Sequence, residues 1–281
     1  MKTRRIGAVA AGAALALTLA ACGSDSGGSS GSGSGGGDSK GLKIGIKFDQ
    51  PGLGLKKGSD FTGMDVDVAK YVAKKLGTDE ANITWVQAPS AQRETLISTG
   101  QVNMIVATYS ITDSRKEKVS FAGPYFIAGQ DLLVRADDTS ITGPDSLKGK
   151  KLCSVTGSTS AQNVTKEVPG INLQNFGTYS ECVAALSSGA IDAVTTDDTI
   201  LAGYAAQDQY KGKLKVVGKP FSTENYGIGI KKGDTALCNQ VTDAIKSMIS
   251  DGSWQKIVDD NLGPAGYKPG DGNPPTPAAC S

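Results

Sequence analysis

The fold is decided by the stretch Phe61-Thr62-Gly63-Met64-Asp65-Val66-Asp67-Val68-Ala69, in which a glycine leads into alternating acidic and apolar residues. Apolar side chains recur at helical spacing from within this stretch onward, at Val66, Ala69, Val72 and Leu76. The two carboxylates stand in the first turn, where they interact favourably with the helix dipole. The pattern predicts a helix whose apolar face belongs to a core.

Around this helix, short β-rich runs alternate with helical patterns. Helical spacing returns at Val183 and Leu186, and again at Val241, Ile245 and Met248. Such alternation is typical of an α/β architecture with largely parallel strands. In that architecture, ligands bind in loops at the carboxyl ends of the strands. The predicted strands are Lys43–Ile46, Ile83–Val86, Met104–Thr108, Lys151–Val155, Leu173–Phe176, Ala193–Thr196 and Leu214–Val217.

Composition and charge exclude several classes of function. The 281 residues include 29 basic and 28 acidic side chains, and a net charge of +1 argues against a dedicated nucleic-acid binder. Histidine is absent, which excludes His-based triads, His metal sites and imidazole proton shuttles. A hydrophobic content of 38% is enough for a real core, and the length favours two domains of moderate size.

The N-terminus has the pattern of an export signal. Basic residues near the start precede an apolar run from Ala8 to Ala21, which is too short to span about 30 Å of hydrocarbon. We therefore expect residues 1–21 to be a signal peptide. Leu19-Ala20-Ala21-Cys22 resembles a bacterial lipobox, which implies a lipid on Cys22. Residues 22–40 would be the lipidated cysteine and a flexible Gly/Ser tether to the membrane.

The remaining cysteines agree with export. Cys153, Cys182, Cys238 and Cys280 are an even number in an oxidising compartment, which predicts two disulfides. Three pairings are possible for such a set, and the spacing leaves the choice open. Without a CxxC pair or a histidine, neither a zinc site nor another metal or cofactor is expected.

Further blocks of sequence follow the stretch at 61–69 in a fixed order. They are Ala107-Thr108-Tyr109-Ser110-Ile111-Thr112-Asp113-Ser114-Arg115, Phe121-Ala122-Gly123-Pro124-Tyr125, Val155-Thr156-Gly157-Ser158-Thr159-Ser160 and Asp192-Ala193-Val194-Thr195-Thr196-Asp197. Together these blocks resemble the polar amino-acid family of extracellular solute-binding proteins, the receptors of ABC importers. The resemblance covers roughly residues 41–265.

This resemblance implies a two-lobed periplasmic-binding-protein-like fold, in which two α/β domains are joined by two hinge strands and hold the ligand between them. Lobe 1 would comprise 41–131 and 225–281, and lobe 2 would comprise 135–221. The hinge crossovers would fall near 131–135 and 220–224, where the chain is short and extended.

The implied lobes favour one disulfide pairing. Cys153 with Cys182 would lie within lobe 2, and Cys238 with Cys280 would lie within lobe 1. Neither bridge would then cross a moving hinge.

The resemblance also implies how the carboxylate of a free L-amino acid is bound. A carboxylate is best met by a bidentate cation, and Arg115 takes that place in the family motif. Ser158 and Thr159 open a predicted helix, so their hydroxyl and N–H groups would hold the same carboxylate from the other lobe.

For the ligand's ammonium, the resemblance implies one charged acceptor and two neutral ones. Asp197 would supply the charge, with Asp198 as an adjacent alternative. The backbone carbonyl of Thr108 and the hydroxyl of Ser110 would supply the neutral acceptors. Thr108 stands where many relatives have glycine.

Specificity depends on a second cation. Ser90-Ala91-Gln92-Arg93 resembles a segment that carries an arginine for the side-chain carboxylate in acidic amino-acid receptors of the family. Two arginines facing one pocket imply a dicarboxylic ligand, because a neutral ligand would leave one buried charge unpaired. Two alternatives stay open: Arg93 as a surface residue paired with Glu94, or a second cation among the lysines at 47, 56 and 57.

The loop from Phe48 to Gly54 resembles that of glutamate-binding lipoproteins of Gram-positive bacteria in particular, and places Asp49 and Gln50 over the ligand. The resemblance therefore implies a monomeric, lipid-anchored, non-enzymatic receptor that delivers glutamate to an ABC permease in the cytoplasmic membrane. Glutamine and aspartate are the next candidates. Two other classes stay open: a ligand-binding sensor lipoprotein, and a dehydratase-like enzyme on the same fold, which would need a general acid or base.

Overall fold

The computed structural model describes residues 41–281. The predicted signal peptide at 1–21, the lipidation site at Cys22 and the tether up to residue 40 lie outside the described residues. The strands are β1 (Leu42–Ile46), β2 (Asp49–Gln50), β3 (Gly54–Lys57), β4 (Asp60–Thr62), β5 (Ile83–Gln87), β6 (Met104–Ile105), β7 (Val119–Ala128), β8 (Gln130–Arg135), β9 (Lys151–Val155), β10 (Asn172–Phe176), β11 (Ala193–Asp197), β12 (Leu214–Val216) and β13 (Glu224–Lys231). The α-helices are α1 (Met64–Lys75), α2 (Arg93–Ser98), α3 (Asp113–Lys116), α4 (Thr159–Glu167), α5 (Tyr179–Ser187), α6 (Asp198–Ala205), α7 (Thr235–Ser250) and α8 (Ser253–Leu262).

Helix α1 forms where the opening stretch predicts it, with Asp65 and Asp67 in its first turn and Val66, Ala69 and Val72 buried. The glycine before it is required by the packing. Gly63 has φ 123°, and a Cβ at this position would lie 2.1 Å from the backbone oxygen of Leu53. No other residue fits there without moving the chain.

Two five-stranded sheets organise the described chain, with strand orders β5-β1-β6-β13-β7 and β10-β9-β11-β8-β12, and a small sheet β2-β3-β4 follows β1. We call the part built on the first sheet lobe 1 and the part built on the second sheet lobe 2. In lobe 1, β1 is parallel to β5 and β6, whereas β13 is antiparallel to β6 and β7. In lobe 2, β9 is parallel to β10 and β11, whereas β8 is antiparallel to β11 and β12. The sheets are therefore more mixed than the alternation of patterns predicts.

The predicted strands all form, but the run from Leu214 ends one residue early, at Val216, and another is shortened more strongly. The run from Met104 to Thr108 stops being a strand after Ile105. Thr108 has φ 43°, in the left-handed region, which ends the extended backbone before the predicted limit.

The chain passes between the sheets twice. It first changes sheet at Gly129, between β7 and β8, so the predicted crossover at 131–135 lies inside a strand of lobe 2. The second passage lies between β12 and β13 and includes most of the predicted crossover at 220–224. The predicted limits of the two lobes stay a prediction.

Both predicted disulfide pairings are confirmed. Cys153 is bonded to Cys182, which ties β9 to α5, and Cys238 is bonded to Cys280, which ties α7 to the C-terminal tail of residues 263–281. The tail lacks regular strands or long helices, yet it lies along the free edge of β7. The amide of Phe121 donates to the carbonyl oxygen of Ser281 at 2.8 Å, for example.

Within residues 41–281, none of the helices combines the length and the apolar character needed to cross a membrane. The same residues contain no cluster of three or more Cys, Asp or Glu side chains suited to holding a metal ion.

Candidate functional site

A cavity lies between the two lobes, at the carboxyl ends of their parallel strands. The space between the protein atoms at this site, part of it open to solvent, is about 220 Å³. The residues of the cavity wall are Ser90, Arg93, Thr108 and Arg115 from lobe 1 and Ser158, Thr159, Ser160, Tyr179, Thr196, Asp197 and Ile200 from lobe 2.

Most of the predicted binding residues meet at this wall. Those present are Arg93, Thr108, Arg115, Ser158, Thr159 and Asp197. Ser110 lies directly behind the wall, with its Oγ 3.3 Å from Oγ1 of Thr159. Asp49 and Gln50 do not line the cavity, contrary to the predicted placement of their loop over the ligand. Asp49 is engaged instead by α5 and α6, and Gln50 packs behind the wall, 3.3 Å from the hydroxyl of Thr108.

Arg115 is held in a defined orientation at the cavity. Its Nη1 donates to the carbonyl oxygen of Ser110 at 2.8 Å, and its Nη2 donates to that of Gly157 at 3.2 Å. Its Nε lies 3.6 Å from Oε1 of Glu94. Because Gly157 belongs to lobe 2, this side chain of lobe 1 contacts both lobes. Burial and the neighbouring Arg93 lower the pKa of Arg115.

Arg93 is the less satisfied of the two cations. Only 2% of it is exposed, and within residues 41–281 it forms no ion pair. Its Nε donates a long hydrogen bond of 3.5 Å to the carbonyl oxygen of Ala88. The guanidinium carbons of Arg93 and Arg115 lie 5.0 and 4.9 Å from the ring centre of Tyr109. Two positive charges therefore stand side by side at the cavity.

The alternative placements of the second cation are wrong. Glu94 pairs with Arg115, so Arg93 is not a surface residue paired with Glu94. Lys47 is buried but pairs with Asp49 at 3.4 Å, away from the cavity wall. Lys56 and Lys57 are exposed.

Asp197 is the carboxylate of the cavity wall, at the end of β11. Its Oδ2 accepts a hydrogen bond of 2.6 Å from the hydroxyl of Tyr226, and its Oδ1 lies 3.4 Å from Oγ of Ser160. Burial, followed by the nearby charge of Glu224, raises the pKa of Asp197 well above its ordinary value. A cation that entered the cavity would oppose this rise, because a nearby positive charge favours the ionised carboxylate.

Asp198 faces away from the cavity. Its Oδ1 accepts hydrogen bonds from the amides of Gly129 and Thr199 and from the hydroxyl of Tyr267. Of these two neighbouring acids, therefore, Asp197 lines the cavity and Asp198 does not.

The start of α4 presents polar groups from lobe 2. Ser158 is the N-cap, and its Oγ accepts the amide of Ala161 at 3.0 Å. The amides of the first turn have no intrahelical acceptor, so they suit an anion. The hydroxyl of Thr159, however, donates to Oε2 of Glu224 at 2.9 Å. Because that hydroxyl has a single proton, its oxygen is left as an acceptor rather than the predicted donor to a carboxylate.

Thr108 owes its position to the first acid of the opening stretch. Its amide donates to Oδ2 of Asp65 at 2.9 Å, and the hydroxyl of Tyr125 donates to Oδ1 at 2.7 Å. Asp65 is fully buried, which raises its pKa to about 6. Asp65, in the first turn of α1, thus also holds the left-handed backbone of Thr108 at the cavity wall.

Sequence reasoning missed several residues of the wall. Ser160 and Thr196 lie inside the blocks that carry the family resemblance, and Ser90 begins the segment that resembles acidic amino-acid receptors, so these stretches contained the signal. Tyr179 and Ile200 belong to helices α5 and α6 and have no motif of their own. Glu224 lies behind the wall, and the sequence analysis includes it only as the last residue of a predicted hinge crossover.

The comparisons with known proteins agree with this geometry. The family model of bacterial extracellular solute-binding proteins, family 3, matches residues 42–264. The glutamate-binding protein GluB of Corynebacterium efficiens is 46% identical over 274 residues, which cover 94% of this chain and 92% of that protein. The glutamine-binding protein GlnH of Bacillus subtilis is 38% identical over 222 residues, which cover 78% of this chain and 80% of that protein.

Solved structures share the architecture. An ancestral arginine-binding protein bound to glutamine is 34% identical and superimposes with a TM-score of 0.74, covering 79% of this chain and 97% of its own. An ancestral amino acid-binding protein, a precursor of cyclohexadienyl dehydratase, is 30% identical, with a TM-score of 0.71 over 79% of this chain and 94% of its own.

Proposed function

Because the chain belongs to family 3 of the bacterial extracellular solute-binding proteins, we propose that it captures glutamate between its lobes and delivers it to an ABC permease. The family membership makes it an amino-acid receptor of an ABC importer. The choice of glutamate rests on one observation: the cavity wall carries two buried arginines and one buried aspartate.

These charges are the complement of glutamate. The ligand has two carboxylates and one ammonium, so each of its charges would meet an opposite charge on the wall. Arg115 would bind the α-carboxylate, Arg93 the side-chain carboxylate, and Asp197 the ammonium. A neutral ligand such as glutamine would leave a buried guanidinium without a counter-charge, which is costly. The 46% identity to a glutamate-binding protein supports the same choice.

Closure of the lobes belongs to this mechanism. Arg115 of lobe 1 donates to Gly157 of lobe 2, and Tyr226 of lobe 1 donates to Asp197 of lobe 2. A ligand that touches both walls binds the shut state best, and so shifts the equilibrium between open and shut lobes toward it.

Glutamine is the second candidate, since relatives named for glutamine binding are 38% identical to this chain. A sensor lipoprotein differs from a transport receptor only in its partner, so loss of uptake in a deletion strain separates the two.

The residues of the cavity wall argue against an enzyme. Among the described residues that line the cavity, Asp197 alone carries a carboxyl group, and the ligand's ammonium would engage it. Recovery of unchanged amino acid after incubation tests this point.

We also propose that the protein is held at the outer face of the cytoplasmic membrane by a lipid on Cys22. The lipobox pattern and the extracellular family support this location. Replacing Cys22 with serine should abolish fatty-acid labelling and release the protein from the membrane.

The ligand assignment is tested by isothermal titration of protein that has been unfolded and refolded to remove bound solute. Glutamate, aspartate, glutamine and asparagine are compared. We expect glutamate to bind about 100-fold more tightly than glutamine, since a buried charge pair is worth a few kcal/mol. A preference for glutamine would show that Arg93 does not bind the ligand's side chain.

A further inference from the structure

Asp49 contacts the opposite lobe without reaching the cavity. It lies in β2 of lobe 1, and its Oδ2 accepts the amides of Tyr179 and Ser180 at 3.0 and 3.5 Å. The hydroxyl of Tyr204 donates to the backbone oxygen of Asp49 and lies 3.3 Å from its Oδ2. All three donors belong to α5 or α6 of lobe 2.

Asp49 supplies the hydrogen-bond acceptor for two amides at the start of α5. Thr178 caps α5 locally and accepts the amide of Glu181 at 3.3 Å. The amides of Tyr179 and Ser180 have no acceptor inside their own helix. A carboxylate at this end of a helix also interacts favourably with the helix dipole.

The surroundings of Asp49 strengthen the interaction. Its side chain is 12% exposed, and its Oδ1 lies 3.4 Å from Nζ of the buried Lys47. Close by, the lobes touch at Gly203 of α6, where a Cβ would lie 2.1 Å from the backbone oxygen of Pro51. Charge-assisted hydrogen bonds that are partly shielded from water are among the stronger ones.

The contact is independent of the ligand's chemistry. Neither Asp49 nor Tyr204 lines the cavity, whereas Arg115 and Asp197, which also join the lobes, do. The bonds of Asp49 therefore depend on how the lobes are placed and not on what lies between them.

We propose that Asp49 is a closure latch, a positioning residue whose bonds to α5 and α6 form when the lobes shut and which strengthens the binding of every ligand by the same factor. This inference rests on the proposed amino-acid-binding function. An interaction present only in the shut state multiplies all affinities equally, because it shifts the population of that state. A residue that contacts the ligand would instead change the ratio of affinities between ligands.

The latch is tested with two variants and a matched control. Asp49→Asn removes the charge, and Tyr204→Phe removes a single hydroxyl of the latch while leaving Lys47 paired. The control is Asp138→Asn. The carboxylate of Asp138 accepts the amides of Ser140 and Ile141 at 2.7 and 3.3 Å, so it makes the same kind of bond within lobe 2 alone.

Each protein is titrated with glutamate and with glutamine, dissociation rates are measured by stopped flow, and amide hydrogen exchange is followed at Tyr179 and Ser180. We expect Asp49→Asn to weaken both ligands by the same factor, about 10-fold to 100-fold, through faster dissociation. Tyr204→Phe should show a smaller equal loss, and Asp138→Asn none. Exchange at the two amides should rise in Asp49→Asn.

Unequal losses for the two ligands would overturn the latch and make Asp49 a ligand contact. Unchanged affinities with unchanged exchange would overturn it as well. If the unaltered protein binds neither ligand, the proposed function fails by itself. The latch is then decided by whether Tyr179 and Ser180 exchange faster in ligand-free Asp49→Asn than in the ligand-free unaltered protein, because the latch protects these amides in the fraction of molecules that is shut. Should Asp49→Asn fail to fold, Tyr204→Phe carries the same test.

Discussion

The two faces of the cavity differ in the charges that they supply. Lobe 1 provides both cations, Arg93 and Arg115, whereas lobe 2 provides the carboxylate of Asp197 and the polar start of α4. Neither face alone matches a molecule with two carboxylates and one ammonium. Recognition of such a ligand therefore requires both faces at once, and this couples specificity to the shutting of the lobes.

The largest effect should come from removing the central cation of lobe 1. Arg115→Ala should weaken glutamate binding about 1,000-fold, because a buried charged partner is worth roughly 2–5 kcal/mol or more. Isothermal titration measures the loss. Lys118→Ala serves as the control, since Lys118 is exposed on the same segment. Equal affinities in the two variants would contradict the assignment of Arg115.

A second change sharpens the roles of the two cations. Arg93→Gln should weaken glutamate about 100-fold and leave glutamine within a few-fold, because glutamine has no side-chain carboxylate to lose its partner. Titration with both ligands gives the ratio. A parallel loss for both would place Arg93 in a structural role.

A third change keeps the two faces apart. Gly203→Ala places a methyl group against the backbone oxygen of Pro51 in the shut state, so binding of glutamate and glutamine should fall about 10-fold to 100-fold alike. The stability of the ligand-free protein should not fall, since alanine is the better helix former. Thermal unfolding and titration are compared with Gly177→Ala, which adds the same methyl at an exposed position of lobe 2. Normal affinity in Gly203→Ala would show that the lobes bind the ligand without this close approach.

The smallest effect concerns the acid of lobe 2. The pKa of Asp197 is raised by burial and by Glu224, and an ammonium ligand would favour the ionised form. Binding should therefore release a proton, and glutamate affinity should fall by at most tenfold per unit as pH is lowered below the ligand-free pKa of this group. Titration calorimetry in buffers of different ionisation enthalpy counts the protons. An unchanged proton release in Asp197→Asn would assign the titration to another group.

Local patterns predict the framework of the molecule well. Helix α1 and strand β1 show regular spacing of apolar residues, and the resemblance blocks lead to Arg115 and Asp197. Strand β7 is different. Eight of the ten residues of Val119–Ala128 are buried. A strand buried on both faces has no alternation of apolar and polar residues that a pattern could detect.

Two features of the site depend on distant parts of the chain. Thr108 is β-branched, which favours extended backbone, yet it takes a left-handed conformation beside Asp65. Asp49 looks like a loop acid over the ligand, yet its acceptors meet Tyr179 and Tyr204 from the other lobe. In both cases the partner lies far away in the sequence, where no local pattern can indicate it.

The C-terminal tail has a consequence for solubility. It follows the region matched by the family model, which ends at residue 264, and it bonds to the outer edge of β7 at Phe121, Gly123 and Ile127. An uncovered strand of this length is a template for pairing with a second molecule. The tail, fastened by the bridge from Cys238 to Cys280, therefore covers the edge strand of lobe 1 and opposes its pairing with a second molecule.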